Sequence, residues 1–120
     1  MEARHLLKEL KDTGWYLGES EGGCRQYVHR DRPHVITVCV RYNDELGEAT
    51  RASLERTSDA WAPGAHDVVV EKTRTGFSAH SPQVPGAIAT GDSDSEVRER
   101  LEAAIEVHLR TVRERSGGAG

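Results

Sequence analysis

The side chains with the most chemical potential lie between Gly22 and Arg41 of this 120-residue chain. Cys24 follows the pair Gly22-Gly23 and carries a thiol whose ordinary pKa lies near 8.5, so most of it is protonated at neutral pH. At the start of a strand, such a cysteine is either a small structural side chain or a redox or nucleophilic centre. Cys39 could lie close on the next strand, but a cross-strand disulfide demands a specific geometry and forms rarely in a reducing cytoplasm. We therefore expect two unpaired thiols.

A basic patch surrounds Cys24 in an otherwise acidic chain. The patch consists of Arg25, Arg30, Arg32 and Arg41, with Asp31 as the one acid among them, and its local charge is +3. Guanidinium groups on a strand suit phosphate oxygens, and Tyr27 can stack on a base. The alternative is that the arginines pair with acidic side chains of the second half, among them Asp67, Glu71, Asp92 and Asp94. A net charge of −4 excludes a strongly basic nucleic-acid-binding protein as a whole.

His29 is the other candidate for proton transfer near Cys24. Strand alternation predicts that Cys24 and Gln26 point to one face, whereas Arg25, Tyr27 and His29 point to the other. His29 is therefore expected to contact a phosphate or to be an ordinary surface histidine. The sequence has no pair of histidines or carboxylates at helical metal-ligand spacing, so we expect neither a metal nor a cofactor.

The elements that position these residues read as α-β-β-β-α followed by β-β-β-α. Apolar spacing predicts a first helix over 2–12, and Thr13-Gly14 ends it. The other predicted elements of the first half are strands over 15–17, 25–29 and 34–42, turns at Gly22-Gly23 and Asp31-Arg32-Pro33, and a short helix from Asn43-Asp44 to Leu54.

The second half follows a segment with helix-breaking chemistry at Pro63-Gly64. Strands are predicted over 68–70, 76–79 and 87–89. Ser93 and Glu96 form a capping box that opens a helix. The apolar stripe of this helix consists of Val97, Leu101, Ile105, Leu109 and Val112.

The first half resembles the HicA-type toxins over about residues 5–57. The resemblance rests on LLKELKDTGW, GGCRQYVHRDRPHVITVCV and DELGEATRASLERT, in the order that the family has them. It implies a fold like that of double-stranded-RNA-binding domains and a metal-free ribonuclease activity. It also implies that position 24 should be the catalytic histidine, so Cys24 adds a third reading, a degenerate or weakened nuclease site.

The second half resembles the N-terminal domain of HicB-type antitoxins. The resemblance covers VVVEKTRTGFSAHSPQVPGAIATGDSDSEVRERLEAAIEVHL and implies a partial ribonuclease-H-like β-β-β-α fold. The predicted organisation is a HicA-like module over 1–58, a linker over 59–65, a HicB-like module over 66–116 and a disordered tail over 117–120. HicB relatives usually continue into a DNA-binding module, and this chain does not, so operator binding is not expected.

Together, the two resemblances imply a toxin fused to its antitoxin. We expect an RNA-binding module, resembling an mRNA interferase, that is neutralised by the antitoxin-like half within one chain or between swapped chains. The expected catalytic position is Cys24, and the expected RNA-binding residues are Gly22, Gly23, Arg25, Tyr27, His29, Arg30, Arg32 and Arg41. Cleavage is expected to be weak or lost; the alternative is a non-enzymatic RNA- or protein-interaction module. We further expect a cytoplasmic homo-oligomer without a membrane span.

Overall fold

The computed structural model describes residues 1–56 and 67–117 as a mixed α/β fold with one six-stranded sheet. The α/β class that the predicted elements imply is confirmed, and the elements follow in the predicted order. Their bounds are α1 Ala3–Asp12, β1 Trp15–Glu21, β2 Cys24–His29, β3 Arg32–Cys39, α2 Glu48–Ser53, β4 Val69–Thr73, β5 Gly76–His80, β6 Ala87–Gly91 and α3 Asp94–Gly117. A 3-10 turn, Leu54–Arg56, extends α2.

The sheet joins the two halves of the chain edge to edge. Its strand order is β1-β2-β3-β6-β5-β4, so β1 and β4 are the outer strands. All neighbours are antiparallel except β3 and β6, which run parallel and pair Thr37 with Ala87 and Cys39 with Ala89. The first three strands and the last three therefore share one hydrogen-bonded sheet.

Apolar cores cover both faces of this sheet. Because side chains alternate along a strand, β3 directs Ile36 and Val38 towards α1, and it directs Cys39 towards α3. The predicted stripe of α3 is buried in full: Val97, Leu101, Ile105, Leu109 and Val112. The helix of the second half thus packs on a strand of the first half.

The first hairpin forms where the glycine pair predicts it. Gly22 and Gly23 have φ angles of +57° and +86°, which a two-residue type I′ turn requires and which glycine adopts without strain. β1 is longer than predicted and extends to Glu21, because its whole length pairs with β2 apart from an irregularity between Leu17 and Ser20.

The turn between β2 and β3 is formed by residues 30 and 31, and the predicted turn at Asp31-Arg32-Pro33 is wrong. His29 already pairs with Arg32, and the next pair is Val28 with Val35. Pro33 has no N–H group to donate. It lies in the irregularity between these two pairs, where no ladder hydrogen bond requires an N–H donor.

The predicted start of α2 at Asn43-Asp44 is also wrong, since the helix begins at Glu48. Asp44 does not cap it; the Asp44 carboxylate instead accepts hydrogen bonds from Arg41 at 2.9 Å and from the Thr90 hydroxyl at 2.6 Å. Strand β3 ends at Cys39 rather than at Tyr42.

Two predictions concern the segment between the halves and the end of the chain. The predicted linker, 59–65, lies outside the described residues. Helix α3 ends at Gly117, and residues 118–120 of the predicted tail lie outside the described part. No helix within 1–56 and 67–117 combines the length and the apolar character that a membrane crossing needs.

Candidate functional site

Cys24 is bonded to Cys39 in a disulfide, which corrects the expectation of two unpaired thiols. The register of β2 and β3 pairs Arg25 with Val38, so the next positions outward, Cys24 and Cys39, lie directly opposite each other. Their Cα atoms are 4.1 Å apart, and each residue is only 4% exposed. Position 24 therefore presents neither a thiol nor an accessible sulfur.

Helix α3 closes the space above this disulfide. Cys24 and Cys39 belong to the same buried cluster as Leu101, Ile105 and Leu109 of α3. Packing of this kind excludes water and leaves no room for a substrate. The sheet face that carries Cys24 is thus an interior surface of the molecule.

A buried polar network fixes α3 next to the disulfide. Gln26 donates to the Thr37 hydroxyl at 3.2 Å and accepts from the Thr111 hydroxyl at 2.9 Å. The Thr37 oxygen lies 2.9 Å from Nδ1 of His108, which is itself buried. Because polar groups in a core must be satisfied, these bonds specify how α3 sits on β2 and β3.

His29 lies on the opposite face from Cys24, as strand alternation predicts. Its ring packs edge-on against Trp15 with centroids 5.3 Å apart. The backbone N–H of Asp31 donates to Nδ1 at 3.0 Å, so Nε2 carries the proton and donates to the Thr13 carbonyl, also at 3.0 Å. Both ring nitrogens are hydrogen-bonded to the backbone near the β2–β3 turn, so neither is available to exchange a proton with a substrate.

Arg41 is engaged at the junction of the two halves. It donates to Asp44, which precedes α2, and to Asp92, which follows β6. Asp92 and Asp44 raise the pKa of Arg41, and Arg41 in turn holds the pKa of Asp92 below its ordinary value. The alternative reading of the basic patch, pairing with an acid of the second half, is therefore confirmed for this arginine.

The other expected RNA-binding residues do not form one surface. Gly22 and Gly23 lie at the tip of the first hairpin, whereas Arg30 and Arg32 are exposed at the opposite end of β2. Arg25 and Tyr27 are half-buried on the face that carries α1. The expected RNA-binding residues thus fall into separate groups: Arg25 and Tyr27 lie on the α1 face, whereas His29, Arg30 and Arg32 lie together at the β2–β3 turn.

Tyr27 lines a cleft of about 410 Å³ between α1, β1 and β2. The Arg25 guanidinium stacks 4.4 Å from the ring centroid of Tyr42. The cleft is lined by Arg4, Leu7, Lys8, Lys11, Trp15, Tyr16, Leu17, Tyr27 and Tyr42. Sequence reasoning missed its basic wall, although Arg4, Lys8 and Lys11 follow the helical spacing i, i+4, i+7 on the polar side of α1.

A second polar cluster joins α2 to the second half. The Glu71 carboxylate accepts hydrogen bonds from the N–H of Ala49 at 3.2 Å, the N–H of Thr50 at 2.7 Å and the Thr50 hydroxyl at 2.6 Å. Ser78 bonds to the same hydroxyl at 3.0 Å. Burial opposes ionisation of Glu71, but these bonds prevail and hold its pKa below its ordinary value. Thr50 and Ser78 are fully buried, so the cluster is a structural contact.

Neither a metal centre nor a known relative identifies the protein further. Within residues 1–56 and 67–117, no group of three His, Cys, Asp or Glu side chains is placed to hold a metal ion. Comparison of the chain with family models, curated proteins and solved structures gives no match. The functional argument therefore depends on the geometry of the chain's own residues.

Proposed function

We propose that this chain is a HicA–HicB-like fusion protein that binds RNA without cleaving it. In this proposal the first half is the toxin-like module, with the fold of a double-stranded-RNA-binding domain, and the second half is the ribonuclease-H-like antitoxin module. The observation that carries the proposal is the state of Cys24. The residue at the position where the resemblance implies a catalytic histidine is disulfide-bonded and lies beneath α3.

The chemistry of RNA cleavage explains why this observation matters. Metal-free cleavage needs a side chain that takes the proton of the 2′-hydroxyl and another that protonates the leaving oxygen. A disulfide sulfur has no proton to exchange, and the buried Cys24 meets no substrate. His29 does not replace it, because both of its nitrogens are bonded to the backbone on the other face. Binding is the activity that remains.

The packing of the two halves supports the antitoxin-like role of the second half. Leu101 and Ile105 of α3 cover the strand face that a free toxin-like module would expose. Arg41, a member of the basic patch, is neutralised by Asp92 of the second half. An inhibitor that covers a phosphate-binding surface offers carboxylates to the same arginines, and this pair fits that pattern.

An RNA-directed role would place the protein in the cytoplasm. Reductants in that compartment keep most cysteines as thiols. The disulfide between Cys24 and Cys39 would be protected there by burial, because thiol exchange requires a reductant to reach a sulfur atom.

The test combines a cleavage assay with a binding assay on the full chain. Incubation with labelled single-stranded RNA should leave the RNA intact on a gel, while fluorescence anisotropy should detect a complex that weakens with salt. Cleavage that is present in the wild type and absent in the His29→Asn variant would refute the proposal. Absence of both cleavage and binding would favour the alternative, a protein-interaction module that retains only the folds.

A further inference from the structure

The cleft between α1, β1 and β2 concentrates the exposed apolar surface of the protein. Five large apolar side chains are exposed in the described part of the chain, and three of them line this cleft. They are Tyr16, Leu17 and Tyr42, which are 55%, 52% and 53% exposed. Tyr27 and Trp15 extend the same surface inward. An apolar concentration of this kind marks a binding surface.

The wall of the cleft is positively charged. Among the described residues that line it, three are cations and none is an acid; the cations are Arg4, Lys8 and Lys11. Lys8 is paired with Asp12 at 2.7 Å and Arg4 with Glu2 at 3.4 Å, both in exposed ion pairs. Exposed pairs contribute little, so an incoming anion can compete for these cations.

Arg25 lies against the aromatic floor of the cleft. Its guanidinium carbon is 4.4 Å from the ring centroid of Tyr42, and its Nη1 atom is buried. A cation over an aromatic ring is attracted to it, so Arg25 helps to hold the Tyr42 ring in place. Burial raises the pKa of the Tyr27 hydroxyl and Arg25 partly opposes this, so Tyr27 remains a neutral ring at physiological pH.

We infer that this cleft binds single-stranded nucleic acid. An unpaired base stacks on Tyr42 next to Tyr27, and the adjoining phosphates lie along Lys8 and Lys11. Stacking on aromatic side chains requires bases that are free of a duplex, which favours a single strand over a double helix. The volume of about 410 Å³ accommodates a base and its sugar rather than a long segment.

This inference rests on the proposed function and gives RNA binding a location. The cleft lies on the face of the sheet opposite to Cys24, so α3 does not obstruct it. The face covered by α3 and the proposed binding face are thus separate surfaces. The chain can therefore bind a nucleic-acid strand even though position 24 is buried.

Fluorescence anisotropy on the full-length chain tests the inference with defined oligonucleotides. The probes are a labelled single-stranded RNA, a single-stranded DNA of the same sequence, the RNA duplex and a poly-glutamate peptide. Both single strands should bind more tightly than the duplex, and a preference for RNA over DNA would show a contact to the 2′-hydroxyl.

The aromatic contact is tested at Tyr42, which is exposed enough to replace without disturbing the core. Tyr42→Ala should weaken binding of the single strand about 10-fold, as expected for one lost stacked base. Tyr42→Phe keeps the ring and should bind as the wild type does. A circular-dichroism melt of each variant verifies that the fold is retained.

The basic wall is tested by the salt dependence of binding. Lys8→Gln with Lys11→Gln removes two phosphate contacts and should lower the slope of log K against log salt by about 1.4. The matched control, Lys72→Gln with Arg98→Gln, removes two charges from the far edge strand and from α3 and should leave the slope unchanged. Arg98 is a suitable match for Lys8, because its exposed ion pair with Asp94 also measures 2.7 Å.

The outcomes separate the location from the function. If RNA binding is unaffected by the substitutions at Tyr42 and Lys8 but is lost in an Arg30→Gln, Arg32→Gln variant, the cleft is not the binding site. The proposed function then still stands. No binding of any nucleic acid by the wild type would overturn both. Binding of the acidic peptide alone, with the same sensitivity to the variants, would overturn the inference in favour of a protein partner.

Discussion

Replacing Glu71 with alanine should uncap α2 and weaken the contact between the two halves of the chain. Glu71 accepts three hydrogen bonds from Ala49 and Thr50 in the first turn of that helix. A lost cap costs about 0.5–2 kcal/mol, and a buried donor left without an acceptor costs about 1–3 kcal/mol. Since Thr50 is fully buried, we expect Glu71→Ala to lower the free energy of unfolding by about 2–4 kcal/mol. Glu71→Gln keeps one acceptor oxygen and should cost about 1 kcal/mol.

The assay is urea unfolding followed by circular dichroism. With a slope of about 2 kcal/mol per molar urea, the midpoint for Glu71→Ala should fall by about 1–2 M. The control is Lys72→Ala, which replaces an exposed neighbour on the same strand and should leave the midpoint nearly unchanged. If Glu71→Ala shifts the midpoint no more than Lys72→Ala does, the cap contributes nothing and the reasoning is refuted.

The same site predicts a pH dependence with a definite sign. The pKa of Glu71 in the folded chain lies below its ordinary value of 4.5, because the bonds from Thr50 and Ala49 outweigh burial and the charge of His80 adds to them. A depressed pKa contributes stability that is complete above the unfolded value and is lost as pH falls through the folded value. The difference in unfolding free energy between wild type and Glu71→Gln should therefore be largest near pH 6–7 and shrink below about pH 4.

Two further predictions concern the disulfide and the turns. Because Cys24 and Cys39 are 15 residues apart, reduction should lower the free energy of unfolding by about 3 kcal/mol, and a Cys24→Ala, Cys39→Ala variant should not respond to reductant in the same urea titration. Gly14→Ala should lower the thermal midpoint, because the residue has φ +101° and its new Cβ would lie 2.5 Å from Nε2 of His29. Gly22→Asn should leave the midpoint nearly unchanged, because nothing lies within 4 Å of that position and asparagine tolerates its φ of +57°; equal losses for the two variants would contradict this account.

The elements that the sequence predicts well are those whose signals are local. The stripe from Val97 to Val112 depends only on helical spacing, and the hairpin at Gly22-Gly23 depends only on backbone freedom at two residues. The capping box is local as well, and the N–H of Glu96 does donate to Ser93 at 3.1 Å. Residue spacing and turn chemistry suffice to predict such elements, because the residues that interact lie close together in the sequence.

The predictions that fail depend on partners far along the chain. The helix after β3 starts late because its cap, Glu71, comes from another strand, and Asp44 is bound instead to Thr90. A reducing cytoplasm argues against the disulfide, whereas the register of β2 and β3 places the two cysteines opposite each other. The cleft combines α1 with Tyr42, and no local pattern relates a basic helix face to a tyrosine some thirty residues away.

The parallel pairing of β3 with β6 determines what the chain can do while it is being synthesised. Thr37 leaves the ribosome 50 residues before its partner Ala87, and α3 emerges later still. Until then β3 has an open edge, and the face around Cys24 lacks its cover, so the first half cannot complete its own core. The first half therefore completes its fold only after the second half has been made: in this chain, the folding of one half and the covering of its sheet face by the other are a single event.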